Sequence, residues 1–237
     1  YKMSYTKPKA KSLRNKTEPL HQFYENDGHI EIGIDEAGKG PMFGRVYTGA
    51  VVLPKHNTEF DHSLMKDSKR FTSIKKINEA AEYIKTNAIA WSVTFKTEQV
   101  IDNINIRQAT LSSMHNAANN IISDNNYNPE TIRLLVDGND FKPLMRINSI
   151  NALCQIQHVC IEGGDNKYTS IAAASILAKV ERDKYIKTLC EEHPFLDDNY
   201  DISKNKGYGT KSHMDGIKKH GISPWHRRTY GICRDFC

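Results

Sequence analysis

An α/β fold is predicted from three observations. Short apolar runs that read as strands alternate with segments whose apolar residues recur at helical spacing, 38% of the 237 residues are apolar, and strand-like runs end directly in carboxylates. That length fits one large domain or two small ones, with enough chain to bury a sizeable core.

Taken in order, residues 1–28 show no sustained periodicity and contain Pro8 and Pro19, so they are expected to form a flexible basic arm, with the folded domain over 29–237. Ile30, Ile32 and Ile34 alternate as in a strand, which runs into Asp35-Glu36 and then Gly38, Gly40 and Gly44. Tyr47 to Leu53, closed by Pro54, predicts a second strand antiparallel to the first. Thr72 or Ser73 caps a helix to about Lys85, with Ile74, Ile77, Ala81 and Ile84 on one face. Ala88 to Phe95 predicts a third strand, with Trp91 in the core. Ile106, Ala109, Thr110, Met114, Ala117, Ala118 and Ile121 mark a helix from about Asn105 to Ile122. Thr131 to Val136 predicts a buried strand that stops at Asp137-Gly138, and Gln155 to Ile161 another, followed by Glu162-Gly163-Gly164-Asp165. Thr169 to about Leu189 is the clearest helix; its small residues, Ser170 to Ser175 and Ala178, suit close packing on a sheet.

Charge is unevenly spread. Six of the 33 basic residues lie in 1–17, where there is no acid, so the rest is close to neutral against 28 acidic residues. Seven Lys or Arg between Lys204 and Arg228 face one acid, Asp215. A basic arm and a basic C-terminal segment suit a polyanion; the alternative is a solubilising tail and a solvated loop, which for the tail accounts for the charge equally well. No run approaches 18 apolar residues and the N-terminus has no apolar signal core, so an intracellular protein without a membrane partner is expected. Five scattered cysteines without CxxC spacing argue against a disulfide framework or a zinc site.

The acids carry the chemistry. Asp35-Glu36 alone could be an ordinary solvated turn, and Asp165 alone an acid favoured by a helix dipole. Together with Asp137 they could place four carboxylates at one edge of one sheet. Such a cluster repels itself at neutral pH and, unless some of the acids stay protonated, needs cations; oxygen-only ligands suit Mg2+ or Mn2+. Two such ions could drive a phosphodiester displacement. A glycine turn beside them lets backbone N–H groups approach a phosphate.

Four blocks carry a family resemblance: GIDEAGKGPMFG at 33–44, LLVDGND at 134–140, GGDNKYTSIAAASILAKVERD at 163–183 and NKGYGTKSH at 205–213. In this order they resemble the signature blocks of type 2 ribonuclease H, the ribonuclease HII family, from about Ile32 to Arg228. The resemblance implies the ribonuclease H-like fold, a mixed five-stranded sheet flanked by helices with a C-terminal helical extension, here a substrate-binding segment over about 190–237. It implies endonucleolytic hydrolysis of RNA in RNA/DNA hybrids, and cleavage 5′ of ribonucleotides embedded in duplex DNA, by two metal ions, leaving 5′-phosphate and 3′-OH ends. By the same resemblance Asp35, Glu36, Asp137 and Asp165 are the catalytic metal ligands. Gly38, Lys39 and Gly40 contact the ribose 2′-OH and adjacent phosphates, Tyr208 senses the RNA-to-DNA junction, and Ser68 and Lys69 approach the nucleic-acid backbone. Lys204, Lys206, Lys211 and the residues to Arg228 would add phosphate contacts. A monomer is expected.

Two positions depart from the pattern. Lys39 stands where ribonuclease HII usually has arginine, and with Phe43 it is reminiscent of ribonuclease HIII, although Asp165 and Tyr208 favour type HII. Gly44-Arg45 replaces the usual glycine-proline. Asp140 is expected to be a loop residue, Glu162 structural or exposed, and His213, His220 and His226 packing or surface residues; Trp225 either packs the C-terminal helices or touches the duplex. A ribonuclease HIII-like hybrid nuclease without junction preference, an inactive hybrid-binding protein and a DNA-only nuclease are the alternative readings.

Overall fold

The computed structural model describes residues 19–56 and 60–237. The basic residues of the expected arm, Lys2 to Lys16, lie outside them. A five-stranded sheet has the order β3-β2-β1-β4-β7, from β1 (Ile30–Ala37), β2 (Val46–Val52), β3 (Ala90–Lys96), β4 (Ile132–Asp137) and β7 (Gln157–Ile161). β1 pairs antiparallel with β2 and parallel with β4, β2 pairs antiparallel with β3, and β4 pairs parallel with β7. The sheet is therefore mixed, and β1 is its central strand.

Alternation along β1 assigns its two faces. Ile32 and Ile34 join Leu134 and Val136 of β4 in a core closed by Leu111, Met114, Ala118, Ile121 and Ile122 of α2 (Glu98–Asp124). On the other face α3 (Thr169–Glu192) lies so close that a Cβ on Gly33 would strike the Ser170 backbone, and one on Gly49 the Ala174 carbonyl. The small residues of α3 make that approach possible, and α1 (Ile74–Asn87) packs outside it through Ile77, Ala80, Ala81 and Ile84. Ser73 caps α1, accepting from the Lys76 N–H.

A smaller core docks the C-terminal elements, α4 (Phe195–Tyr200), α5 (Ile202–Asn205) and α6 (Lys211–His220), against the end of α3 and the turn after β1; it contains Met42, Phe43, Ile186, Leu196, Tyr200, Ile202 and Ile217. Among the described residues no helix is long and apolar enough to cross a membrane.

Several expectations are corrected. Residues 19–28, assigned to the flexible arm, are tied to the domain. His21 exchanges backbone hydrogen bonds with Lys167 and Thr169 at 2.8 and 2.9 Å, the Glu31 carboxylate accepts from the N–H groups of Tyr24 and Glu25, and Arg133 pairs with Glu25 and Asp27. Glu31 and Arg133 are buried, so each requires partners, and this segment brings their shortest ones. The second long helix begins at Glu98 rather than near Asn105. Asn105 sits inside it at φ 63°, and its side chain accepts from the Gln108 N–H as an internal cap. Trp91 is 41% exposed, because β3 is a sheet edge; its indole N–H donates to the Lys85 carbonyl. Ile74 is exposed rather than on the buried face of its helix. A two-stranded hairpin, β5 (Met145–Ile147) and β6 (Leu153–Gln155), was not expected, and three-residue strands carry too little pattern to read.

Candidate active site

Parallel pairing of β1 with β4 sets Ile34 beside Val136, so the next residues along, Asp35 and Asp137, emerge together at the strands' C-terminal ends. β7 closes the group: Asp137 aligns with Ile161, and the Gly163 turn (φ 62°) leads into a 3₁₀ turn, Gly164–Asn166, that holds Asp165. Asp35 lies on the α3 face of β1, Glu36 on the α2 face. All ten residues singled out from the sequence, Asp35, Glu36, Gly38, Lys39, Gly40, Ser68, Lys69, Asp137, Asp165 and Tyr208, line one cleft of about 270 Å³.

One oxygen of several of these acids is already engaged. Asp35 Oδ1 accepts from the Glu36 N–H at 2.7 Å, Asp137 Oδ1 from the Gly164 N–H at 2.6 Å, and Asp165 Oδ1 from the Asn166 side-chain amide at 3.0 Å. Glu36 pairs with Lys39 Nζ at 3.2 Å. Ser68, buried in a short turn capped by Asp67, meets the Ser175 hydroxyl of α3 at 3.1 Å. Tyr208 is half exposed, and its ring lies so near the glycine turn that a Cβ on Gly40 would sit 3.7 Å from Cε1.

Electrostatics mark the cluster as under-neutralised. Burial pushes Asp35 well above the usual carboxylate range, and the charges of Glu36 and Asp137 push the same way. Burial also raises Glu36, although Lys39 opposes it, and raises Asp165, which faces Asp137 and Asp67 as well. Among the described residues no three His, Cys, Asp or Glu side chains already form a cage around one ion. The fit lies in the donor set: two buried carboxylates, Asp35 and Asp165, beside two half-buried ones, Glu36 and Asp137, with no nitrogen or sulfur ligand, suit a hard divalent cation.

Sequence reading missed the shell around this cleft. Ser175, Lys179, Arg182 and Asp183 of α3 also line it, and their spacing of four, seven and eight residues, one helical face, is the signal that could have found them. Arg182 is buried and donates to the Lys206 carbonyl at 2.8 Å. Arg227, counted with the phosphate-binding basic segment, is instead fully buried, donating to the carbonyls of Gly38, Lys39, Pro41 and Gly44. Arg45, in place of proline, is sandwiched between the rings of Phe95 and Tyr185 at 4.2 and 4.3 Å. Asp140 pairs with Arg107, Glu162 is exposed and accepts from the Asn139 amide, His213 and His226 are buried, and Trp225 packs on His193 with ring centroids 4.6 Å apart.

A mixed sheet that gathers four carboxylates at one edge, below a cleft rimmed by lysines, defines an enzyme that works on a polyanion through bound cations. The ribonuclease HII family model matches residues 32–233. A ribonuclease HII from Bacteroides thetaiotaomicron is 42% identical over 212 residues, covering 90% of this chain and 94% of that protein. Among solved structures, ribonuclease H2 from Pyrococcus horikoshii has a TM-score of 0.66 at 23% identity, covering 87% of this chain and 96% of that one. Bst-ribonuclease HIII in complex with Mn2+ has a TM-score of 0.65 at 16% identity, covering 87% and 68%; at these identities the likeness is one of fold. The chain belongs to the ribonuclease HII family, metal-dependent endoribonucleases acting on RNA in RNA/DNA hybrids.

Proposed function

We propose that the protein cuts the RNA strand of RNA/DNA hybrids and also cuts 5′ of single ribonucleotides embedded in duplex DNA. The observation behind this reading is the meeting of Tyr208 with Gly40 over the carboxylates, in one cleft. Asp35, Glu36, Asp137 and Asp165 would hold Mg2+ or Mn2+, and two such ions would supply an activated water and charge stabilisation at the scissile phosphate, giving 5′-phosphate and 3′-OH ends.

The chain's own groups do the recognising. The 2′-OH is the feature that tells RNA from DNA at one position, and the backbone of Gly38-Lys39-Gly40 can read it without regard to base. The half-exposed Tyr208 ring stacks on the sugar or base at the junction, where deoxyribose follows. Lys39, Lys69 and Lys206 on the cleft wall meet phosphates, as does the C-terminal segment over about 190–237. The protein acts as a monomer inside the cell, wherever DNA is replicated and repaired.

A second reading, a hybrid nuclease without junction preference, draws on the Lys39–Glu36 ion pair: a point charge already engaged has less to give to a phosphate than an arginine fork. A cleavage map on a duplex with one ribonucleotide, run beside a full hybrid, decides between them. The first reading expects one cut 5′ of the lone ribonucleotide; cleavage of the hybrid alone would establish the second.

A further inference from the structure

Two neighbouring residues near the C-terminus each hold one of the elements assigned to ribonucleotide reading. Arg227 is 0% exposed, and among the described residues it makes no ion pair. Its guanidinium donates through Nη2 to Gly38 O at 2.6 Å, through Nη1 to Lys39 O at 3.1 Å and Pro41 O at 2.7 Å, and through Nε to Gly44 O at 2.8 Å. Burying a charge is costly, and here its hydrogen bonds all go to a single turn. Gly38, at φ 91°, needs such support, since glycine is free to leave that conformation.

His226 holds the other element. The Ser223 N–H can only donate, and it donates to His226 Nδ1 at 2.9 Å. The neutral ring must then carry its hydrogen on Nε2, which donates to His213 Nε2 at 2.9 Å. His213 in turn carries its hydrogen on Nδ1 and donates it to the Tyr208 carbonyl at 2.9 Å. Every proton in the relay is assigned by the one before it. Burial, and then the neighbouring His213, push His226 down to about 3, so the relay stays neutral. The backbone completes the frame: Arg227 N–H donates to Met42 O, Gly44 N–H to Trp225 O, and Met42 N–H to Gly207 O, all within 2.9 Å.

We infer that His226 and Arg227 are positioning residues for ribonucleotide selection: Arg227 shapes the glycine turn, His226 acts through His213 on the Tyr208 loop, and their adjacency sets the gap between Gly40 and Tyr208. This rests on the reading that the turn and Tyr208 recognise the ribonucleotide.

The measured quantity is the ratio of kcat/KM on a single-ribonucleotide duplex to kcat/KM on a full hybrid, in Mg2+. His213→Leu is expected to lower the ratio about tenfold, the worth of one buried hydrogen bond. The His213→Asn amide can replace Nδ1 as donor to Tyr208 O but offers nothing to His226 Nε2, so it is expected to recover the ratio only in part, to within about fivefold of the parent. His226→Leu, which leaves His213 in place without its donor, is expected to lower the ratio by a similar factor, and an unchanged ratio there would overturn the inference. The double variant His213→Leu, Tyr208→Ala should fall no further than Tyr208→Ala alone, as for residues acting through one another. Equal ratios for His213→Leu and His213→Asn, or additive losses in the double variant, would overturn the inference. Should His213→Leu lack a cooperative melt, Arg227→Lys takes its place: it keeps the charge but cannot reach four carbonyls, and an unchanged ratio would overturn the inference. If Tyr208→Ala lowers the ratio and His213→Leu does not, only the positioning role fails; if Tyr208→Ala leaves it unchanged, the recognition reading fails and takes this inference with it.

Discussion

Burying Asp35 beside Glu36 and Asp137 destabilises the metal-free fold at neutral pH. Its carboxyl is raised by burial and by those two charges, so the folded state holds the proton more tightly than the unfolded chain, whose value is about 3.9. The penalty is absent below that value, grows as pH rises and is complete above the folded value. Asp35→Asn should therefore melt about 2–4 °C higher than the parent in EDTA at pH 7, with the gap closing toward pH 4 and when Mg2+ is added. The same substitution, like Asp137→Asn, should lower hybrid cleavage on the order of 10³-fold if, as proposed, each removes a metal ligand. Calorimetry and a cleavage assay on one preparation check both; equal melting points would show that the charge costs nothing. Lys39 offers the opposite case. A Lys39→Arg guanidinium can hold Glu36 and a phosphate together, and should raise single-ribonucleotide cleavage about threefold relative to hybrid.

At the scale of elements, the C-terminal segment is pinned by a neutral histidine, which gives it an acid limit. His226 falls from the ordinary 6.5 to about 3 in the fold. Its contribution is therefore intact above pH 6.5 and is lost as pH falls toward 3, because the unfolded chain takes up a proton that the folded chain refuses. The groups facing it are His213, itself lowered by burial, Ser223, Phe43 and Tyr200. His226→Phe preserves the ring contacts and removes this titration, so its urea midpoint should fall less steeply between pH 6.5 and 4. Trp225 fluorescence in a Trp91→Phe background reports it, and parallel slopes would refute the assignment. Legibility follows the same division. The first four sheet strands, α1, α3 and the strand-end carboxylates could be read because alternation, capping and helical spacing are local properties. Arg227 and the docking of residues 19–28 could not, because partners such as Gly38, Arg133 and Lys167 lie far along the chain, and the exposure of Trp91 could not, because only the strand order makes β3 an edge. A basic residue in a basic segment reads as solvent-facing until the carbonyls it satisfies are known.

For the whole molecule, the family's substrate is a polyanion and lysines line the cleft, so binding of a non-cleavable hybrid should weaken with log salt by roughly 0.9 per phosphate neutralised. Lys206→Ala should reduce that slope by about 1. Arg227→Lys, buried beneath the turn, should leave it unchanged; a reduced slope would return Arg227 to the phosphate-binding surface. Anisotropy titrations between about 50 and 200 mM salt measure all three.

The bond from Arg227 to Gly38 spans 189 positions, and this has a consequence for synthesis. A chain emerging from the ribosome carries all four carboxylates once Asp165 is made, yet the guanidinium that holds the carbonyls of the glycine turn is still to come. Synthesis proceeds from the N-terminal side, so the strands and their acids are made before the residue that fastens the turn. The turn proposed to tell ribose from deoxyribose is fastened only after Arg227 has been made, so discrimination would be acquired later than the acids that cut.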